Sequence, residues 1–343
     1  MASIDLHGLL ARLHRRGEQD SPSQGRVTSA SRIFALLLVA AMAGGSFFLT
    51  QTQRTTQDSH ASALPELPEK VGSTLPLHMN ERVEKWVERF HTDQRPAFER
   101  LLRRQGVYAG MIRSKLRARG MPEELLYLAM MESGLSPFAV SRVSAVGVWQ
   151  FMGPTAQQYG LRVDEWVDAR RDPVRATDAA LDYLSYLRDR FGSWYLAAAA
   201  YNAGPNRVER VLRRHADGRS GDEQLYWEVL EHLPPETREY VPRLVAATYI
   251  AENPGEFGFD VESDAAYEYD RVFVPGGTSL AQVAHYVRAD ARLLRTMNPH
   301  LVRGITPPDE LYPVRVPVGA TPAVVASLMG DRSGASGIRV ADD

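Results

Sequence analysis

Apolar residues recur at helical spacing through the middle of the chain. Val83, Trp86, Val87 and Phe90 stand at i, i+3, i+4 and i+7, the stripe of a helix with one buried face. Ala97, Leu101 and Leu102 begin a second stripe. Gly106, Gly120, Gly134, Gly160, Gly192 and Gly204 mark expected helix ends. Pro122, Pro154, Pro173 and Pro205 suit first helical turns, where a missing N–H leaves no bond unmade. No alternating run interrupts this stretch, which predicts an all-α domain over 79–258 with its core at about 116–252. After Pro254 the pattern changes. Positions 271–274 and 312–317 read as short strands, and 279–286 and 289–297 as helices between them, a small α+β unit over 265–318. From Gly319 the residues are small and polar, so 319–343 is expected to be a disordered tail.

At the other end, positions 33–49 (IFALLLVAAMAGGSFFL) form an apolar run without a charge. Arg12, Arg15, Arg16, Arg26 and Arg32 precede it in a basic lead, 1–32, expected to stay in the cytoplasm while the rest crosses the membrane. The polar residues that follow offer nothing to cover a buried core helix there. Two versions of export stand. Ala41-Met42-Ala43 is a small-x-small cleavage pattern of a signal peptide, and the run is at the short limit of a membrane-spanning anchor. Positions 50–78, polar with spaced prolines, read as a linker.

Composition narrows the chemistry. The 343 residues suit two domains plus extra segments. Forty Lys/Arg against 42 Asp/Glu leave a net charge of −2, which argues against a nucleic-acid partner. Zero cysteines exclude disulfides, thiolate metal sites, a Cys nucleophile and a lipid-modified N-terminal Cys. The nine histidines do not cluster at ligand spacing, so no metal and no cofactor is expected.

One residue breaks the helical pattern. Leu125, Leu128, Ala129 and Glu132 share a face at i, i+3, i+4 and i+7, so a carboxylate stands where a core residue belongs. It also falls at the helix C-terminus, ahead of Gly134. Burial and the negative end of the helix dipole both disfavour the anion and raise the pKa, as a general acid at neutral pH requires. The alternative is an exposed last-turn Glu, or one paired with an Arg such as Arg142.

Glu132-Ser133-Gly134, followed by Ala139-Val140-Ser141, Gly147-Val148-Trp149-Gln150 and Met152, resembles the signature of the lytic transglycosylases. Ala200-Tyr201-Asn202-Ala203-Gly204 resembles that family's second motif, and Glu236-Thr237-Arg238-Glu239-Tyr240-Val241 its third. Arg170-Arg171-Asp172-Pro173 is similar to a membrane-bound subgroup. Ser144 stands where the family often has Gly. The resemblance implies a lysozyme-like all-α catalytic domain that cleaves peptidoglycan between N-acetylmuramic acid and N-acetylglucosamine and leaves a 1,6-anhydro end. It implies Glu132 as the single acid and base, Tyr240 as its positioning partner, and Ser141, Gln150, Met152, Tyr201 and Asn202 as substrate-binding residues. On the residues alone, Tyr240 is equally a packed core side chain and Asn202 equally a helix stop. Asp164, Glu165, Asp168 and Asp172 are weak candidates for a second carboxylate; Asp172 before Pro173 reads as an N-cap, and Asp168 has Arg170 and Arg171 for partners. A hydrolytic muramidase on the same scaffold and a non-catalytic wall-binding protein remain alternatives.

Val274 through Ala284, then Asn298-Pro299 and 311–318, resemble a LysM glycan-binding module in degenerate form; a unit that only packs on the catalytic domain is the alternative. The expected partners are peptidoglycan glycan strands and, through 33–49 if uncleaved, the cell membrane. The expected location is the periplasmic side of the cell envelope, inner-membrane anchored or released, and not as a lipoprotein.

Overall fold

The computed structural model describes residues 75–335. The basic lead, the apolar run and most of the linker lie outside the described residues. Among the described residues no helix is long and apolar enough to cross a membrane. The described linker residues already belong to the folded domain. Leu75 is buried, the Tyr195 hydroxyl donates to the Pro76 carbonyl, and the Tyr249 hydroxyl donates to the Leu77 carbonyl at 2.9 Å. Two aromatic hydroxyls thus hold backbone that the linker expectation over 50–78 left in solvent.

Helix α1 (Glu81–His91) starts where the Asn80 side chain accepts from the Arg82 and Val83 amides, and it buries Val83, Trp86, Val87 and Phe90. Helix α2 (Arg95–Ala118) corrects one expectation: it runs straight through Gly106. The glycine is there for approach, not termination. A Cβ at Gly106 would lie 2.5 Å from the Asp264 carbonyl oxygen. An extended segment crosses α2 at that point, its Asp264 and Tyr267 amides donating to the Arg103 and Val107 carbonyls at 2.9 Å.

A 3-10 turn (Glu123–Leu125) leads into α3 (Leu126–Ser133), which ends at Gly134 in the left-handed conformation, φ 61°. Short helix α4 (Gly153–Gln158) follows a loop closed by isolated bridges at Val140–Val146 and Val146–Phe151. Helix α5 (Pro173–Phe191) is capped by Asp172, whose carboxylate accepts from the Val174 and Arg175 amides. Helix α6 (Trp194–Ala203) is central, packed against α5, α7 (Pro205–His215), α8 (Glu223–Val229) and α9 (Pro235–Glu252). Its alanines at 197–200 are all buried and let these helices approach closely. Pro242 lies inside α9 and deprives the Arg238 carbonyl of its helical donor; the Tyr226 hydroxyl supplies one at 3.2 Å.

The C-terminal unit runs strand–helix–helix–strand: β1 (Asp270–Val274), α10 (Leu280–Tyr286), α11 (Ala291–Met297) and β2 (Tyr312–Val316). The strands pair antiparallel, Val272 opposite Val314. The expected disordered tail is corrected over part of its length: Thr321–Ala335 form α12, which packs on β1 through buried Val324. The Asp270 carboxylate accepts from the Gly319 amide at 2.7 Å just ahead of this helix. The described chain is therefore mainly helical with one small two-stranded sheet, the class that the hydropathy pattern predicts.

Candidate active site

The carboxylate of Glu132 emerges at the C-terminal end of α3, and the Tyr240 hydroxyl, from α9, donates to its Oε1 at 2.5 Å. The side chain is half-buried. Burial pushes its carboxyl above the ordinary carboxylate value. The Tyr240 hydrogen bond and the nearby Arg243 guanidinium pull it down, and the charge of Glu236 adds to the upward push. Tyr240 is held well above its usual value by burial and by Glu132, so it is a permanent donor. Arg142, the alternative partner, lies exposed on the neighbouring loop.

The end of α3 is fastened on two sides. The Ser133 hydroxyl donates to the Val148 carbonyl at 2.7 Å and accepts from the Ser136 amide, while Arg104 of α2 donates to the Gly134 carbonyl at 3.0 Å. A Cβ on Gly134 would meet the Leu101 side chain at 2.8 Å. The carboxylate therefore sits on a fixed stub between two helices and a loop.

That loop, residues 139–151, holds two of the expected substrate-binding residues, Ser141 and Gln150. Ser141 Oγ accepts from the Ala145 amide at 2.9 Å and the Val143 amide at 3.3 Å. Gln150, at φ 49°, donates its amide hydrogens to the Gly147 carbonyl at 2.8 Å and the Ala139 carbonyl at 3.4 Å. Both side chains therefore build the loop first; what remains for a ligand is the Ser141 hydroxyl proton and the Gln150 amide oxygen. Met152, just past the loop, is 42% exposed, and Phe138, Val140 and Val143, in or next to the loop, are exposed apolar side chains as well. Trp149 is fully buried, with its indole N–H on the Thr177 hydroxyl at 2.9 Å.

Helix α6 ends in the expected pair. Tyr201 donates its hydroxyl to the Trp149 carbonyl at 2.7 Å, and its ring packs 5.4 Å from that of Tyr183. Asn202 accepts from the Thr237 hydroxyl at 2.8 Å and donates to the Glu236 carboxylate at 3.4 Å. Asn202 thus ties the end of α6 to the start of α9. The ends of α3 and α6 thus meet α9 and the loop through direct bonds: Tyr240 to Glu132, Asn202 to Thr237 and Glu236, and Tyr201 to the Trp149 carbonyl next to Gln150. Two charged neighbours of Glu132 have only a weak sequence signal: Glu236, Tyr240 and Arg243 stand at i, i+4 and i+7 on α9, one helix face.

The other carboxylates considered are occupied elsewhere. Asp164 accepts from the Trp166 and Val167 amides, Glu165 pairs with Arg303, Asp168 with Arg170, and Asp172 with Arg315. Among the described residues no group of three or more acidic and His side chains is disposed to hold a metal. Two of the histidines do meet, against the expectation from spacing: the end of α7 and a 3-10 turn (Leu230–His232) stack His215 on His232 with ring centroids 3.6 Å apart.

Comparison with known proteins places residues 111–222 in register with the family model for the Transglycosylase SLT domain. Membrane-bound lytic murein transglycosylase D of Escherichia coli (strain K12) is 35% identical over 194 residues, 56% of this chain and 42% of the relative's length. The peptidoglycan transglycosylase of Escherichia phage T7 is 36% identical over 104 residues, 29% of this chain and 8% of that protein. Among solved structures, the 70 kDa soluble lytic transglycosylase of Escherichia coli aligns with a TM-score of 0.37 and 22% identity, over 50% of this chain and 32% of that one. The chain thus spans less than half the length of the curated relatives named here.

Proposed function

We propose that this chain, a member of the SLT-domain transglycosylase family, cleaves the glycan strand of peptidoglycan with Glu132 as its acid and base. The observation that carries the reading is the carboxyl itself: raised by burial, set at a helix C-terminus and gripped at 2.5 Å by a permanently protonated Tyr240. A general acid must be protonated near ambient pH and still able to give the proton up.

In the reaction, Glu132 donates its proton to the leaving glycosidic oxygen as the bond to C1 of N-acetylmuramic acid breaks. The substrate's own N-acetyl oxygen covers the electron-poor C1. Glu132, now ionised and stabilised by Tyr240 and Arg243, takes the proton from the C6 hydroxyl as that oxygen attacks C1. A 1,6-anhydro ring closes, the carboxyl regains its proton, and no water is consumed. The site is suited to a sugar chain: Asn202, Gln150 and Ser141 offer amide and hydroxyl groups, and Met152 with the exposed Phe138, Val140 and Val143 offers apolar surface for pyranose faces. Tyr201 serves by fixing the Trp149 carbonyl, and Tyr240 by aiming the carboxyl.

The deciding experiment digests purified sacculi and weighs the released muropeptides. Anhydro-muropeptides are the expected products. Products heavier by one water would replace this reading with a muramidase, and no products from the parent protein would leave a wall-binding role. The site lies on the envelope side of the membrane in this reading, with positions 33–49 as anchor or cleaved signal; the apparent mass and membrane partition of the mature protein separate these two.

A further inference from the structure

The 139–151 loop is not held by the catalytic helices alone. Arg170 donates through Nη1 to two of the loop's carbonyls, Ser144 at 3.1 Å and Phe151 at 3.3 Å. The guanidinium is aimed by Asp168, which accepts from Nε and Nη2 at 2.9 Å each, a bidentate pair within a largely buried environment. The loop also rests directly on the backbone here. A Cβ at Gly147 would fall 1.8 Å from the Arg170 carbonyl oxygen, so the loop's glycine touches the segment that carries the clasp.

Asp168 has a second connection. Its backbone amide donates to the His300 carbonyl of the C-terminal unit at 2.9 Å, and the Val302 amide donates to the Trp166 carbonyl at 3.2 Å. Four residues on, Asp172 receives both oxygens' worth of bonding from Arg315 of β2, at 2.7 Å to each. Both partners are buried, Asp172 at 1% and Arg315 at 7% exposure. Asn298 keeps Arg315 in place through the Arg315 amide and carbonyl, at 2.8 Å each. The segment 166–172 is thus gripped by the C-terminal unit and itself grips the 139–151 loop.

We propose that Arg170, clasped by Asp168, is a positioning residue that holds the 139–151 loop in register with Glu132, and that the C-terminal unit acts as its buttress through Arg315. This rests on the reading of that loop as a substrate wall. A lysine at 170 keeps a charge for Asp168, but as a single point donor it cannot span Asp168, Ser144 and Phe151 together. The loop loosens while Glu132 and Tyr240, fastened to α3 and α9, stay in place.

The test uses the full chain, with soluble glycan strands as substrate, and compares the parent with Arg170→Lys and Arg315→Met. Arg170→Lys is expected to raise KM about tenfold with kcat within about twofold and an unchanged pH profile of kcat, the signature of lost binding without lost acid function. Arg315→Met should move KM in the same direction by a smaller factor. Amide exchange of the free proteins should quicken over 139–151 in both variants and not over α3. Parental KM and parental exchange over 139–151 in Arg170→Lys would overturn the proposal, as would a fall in kcat at unchanged KM. The exchange readout needs no turnover, so a failure of the proposed activity, seen in the parent alone, is distinguishable from a failure of the clasp.

Discussion

Glu132 is legible in the sequence because a carboxylate interrupts an apolar face; its partner is not. Tyr240 sits in a helix whose neighbours Val241, Leu244 and Val245 are all buried, and only the motif around it separates a ligand of Glu132 from a core side chain. Ser141 and Gln150 teach the converse. Their types suit sugar binding, yet their strongest bonds are to loop backbone, which no residue type announces. The carboxyl's raised value has a consequence for stability. A raised carboxyl contributes fully below its unfolded value, and that contribution is lost as pH rises through the folded value. Glu132→Gln is therefore expected to abolish cleavage while raising the melting temperature, with a gain that is absent below the unfolded carboxylate value and appears as pH rises above it. A thermal melt series from below to above that value checks it, and a pH-independent gain would contradict a raised pKa. Tyr240→Phe removes a bond that favours the ionised carboxylate. The alkaline limb of the rate profile should move to higher pH, and the maximal rate should fall by about tenfold or more with the loss of aim.

At the scale of elements, the amphipathic stripe of α1, the proline-led starts of α5 and α7 and the paired strands were readable, because period and first-turn chemistry are local. The ends were less so. Gly106 looks like a helix stop, and the reason it is not lies more than a hundred residues away, in the segment that crosses α2. Gly110, one turn on, has nothing within 4 Å of a would-be Cβ. The two glycines of one helix should therefore respond oppositely. Gly110→Ala is expected to stabilise by about 0.5–1 kcal/mol, since alanine loses less backbone freedom on folding. Gly106→Ala, forced against the Asp264 carbonyl at 2.5 Å, should destabilise by about 1–3 kcal/mol as the strap is pushed off. Urea midpoints of the two variants measure this, and equal midpoints would mean that the crossing segment adds nothing to stability. The helix at 321–335 escaped the sequence for a related reason: its apolar residues mark no single helical face, and its packing against β1 is a tertiary fact.

At the scale of the molecule, the C-terminal unit and the helical domain share a buried charge cluster that no single segment could reveal. Asp172 caps α5, pairs with Arg315, and lies 3.7 Å from the His300 ring nitrogen. Burial lowers His300 to about 4. Asp172 opposes that shift, while Arg315 and Arg175 add to it, and the Asp172 carboxyl is itself held below its usual range by Arg315 and His300 against the cost of burial. The two groups act in separate windows. A lowered histidine gives stability that is present above its unfolded value near 6.5 and is lost as pH falls toward 4. A lowered Asp gives stability that is lost only below its own unfolded value of 3.8. Between pH 6.5 and 4, then, the cluster's acid sensitivity belongs to His300, with a slope of up to about 1.4 kcal/mol per pH unit. His300→Gln should flatten the fall in melting temperature over that window and leave the melt at pH 7.5 within a few degrees of the parent. A variant that loses stability as steeply as the parent between pH 6.5 and 4 would place the sensitivity elsewhere. If the unit buttresses the 139–151 loop, the parent's KM should also rise on acidification through this window, and the rise should be smaller in His300→Gln, because protonating the ring strains the contact that steadies Asp168 and, through it, Arg170.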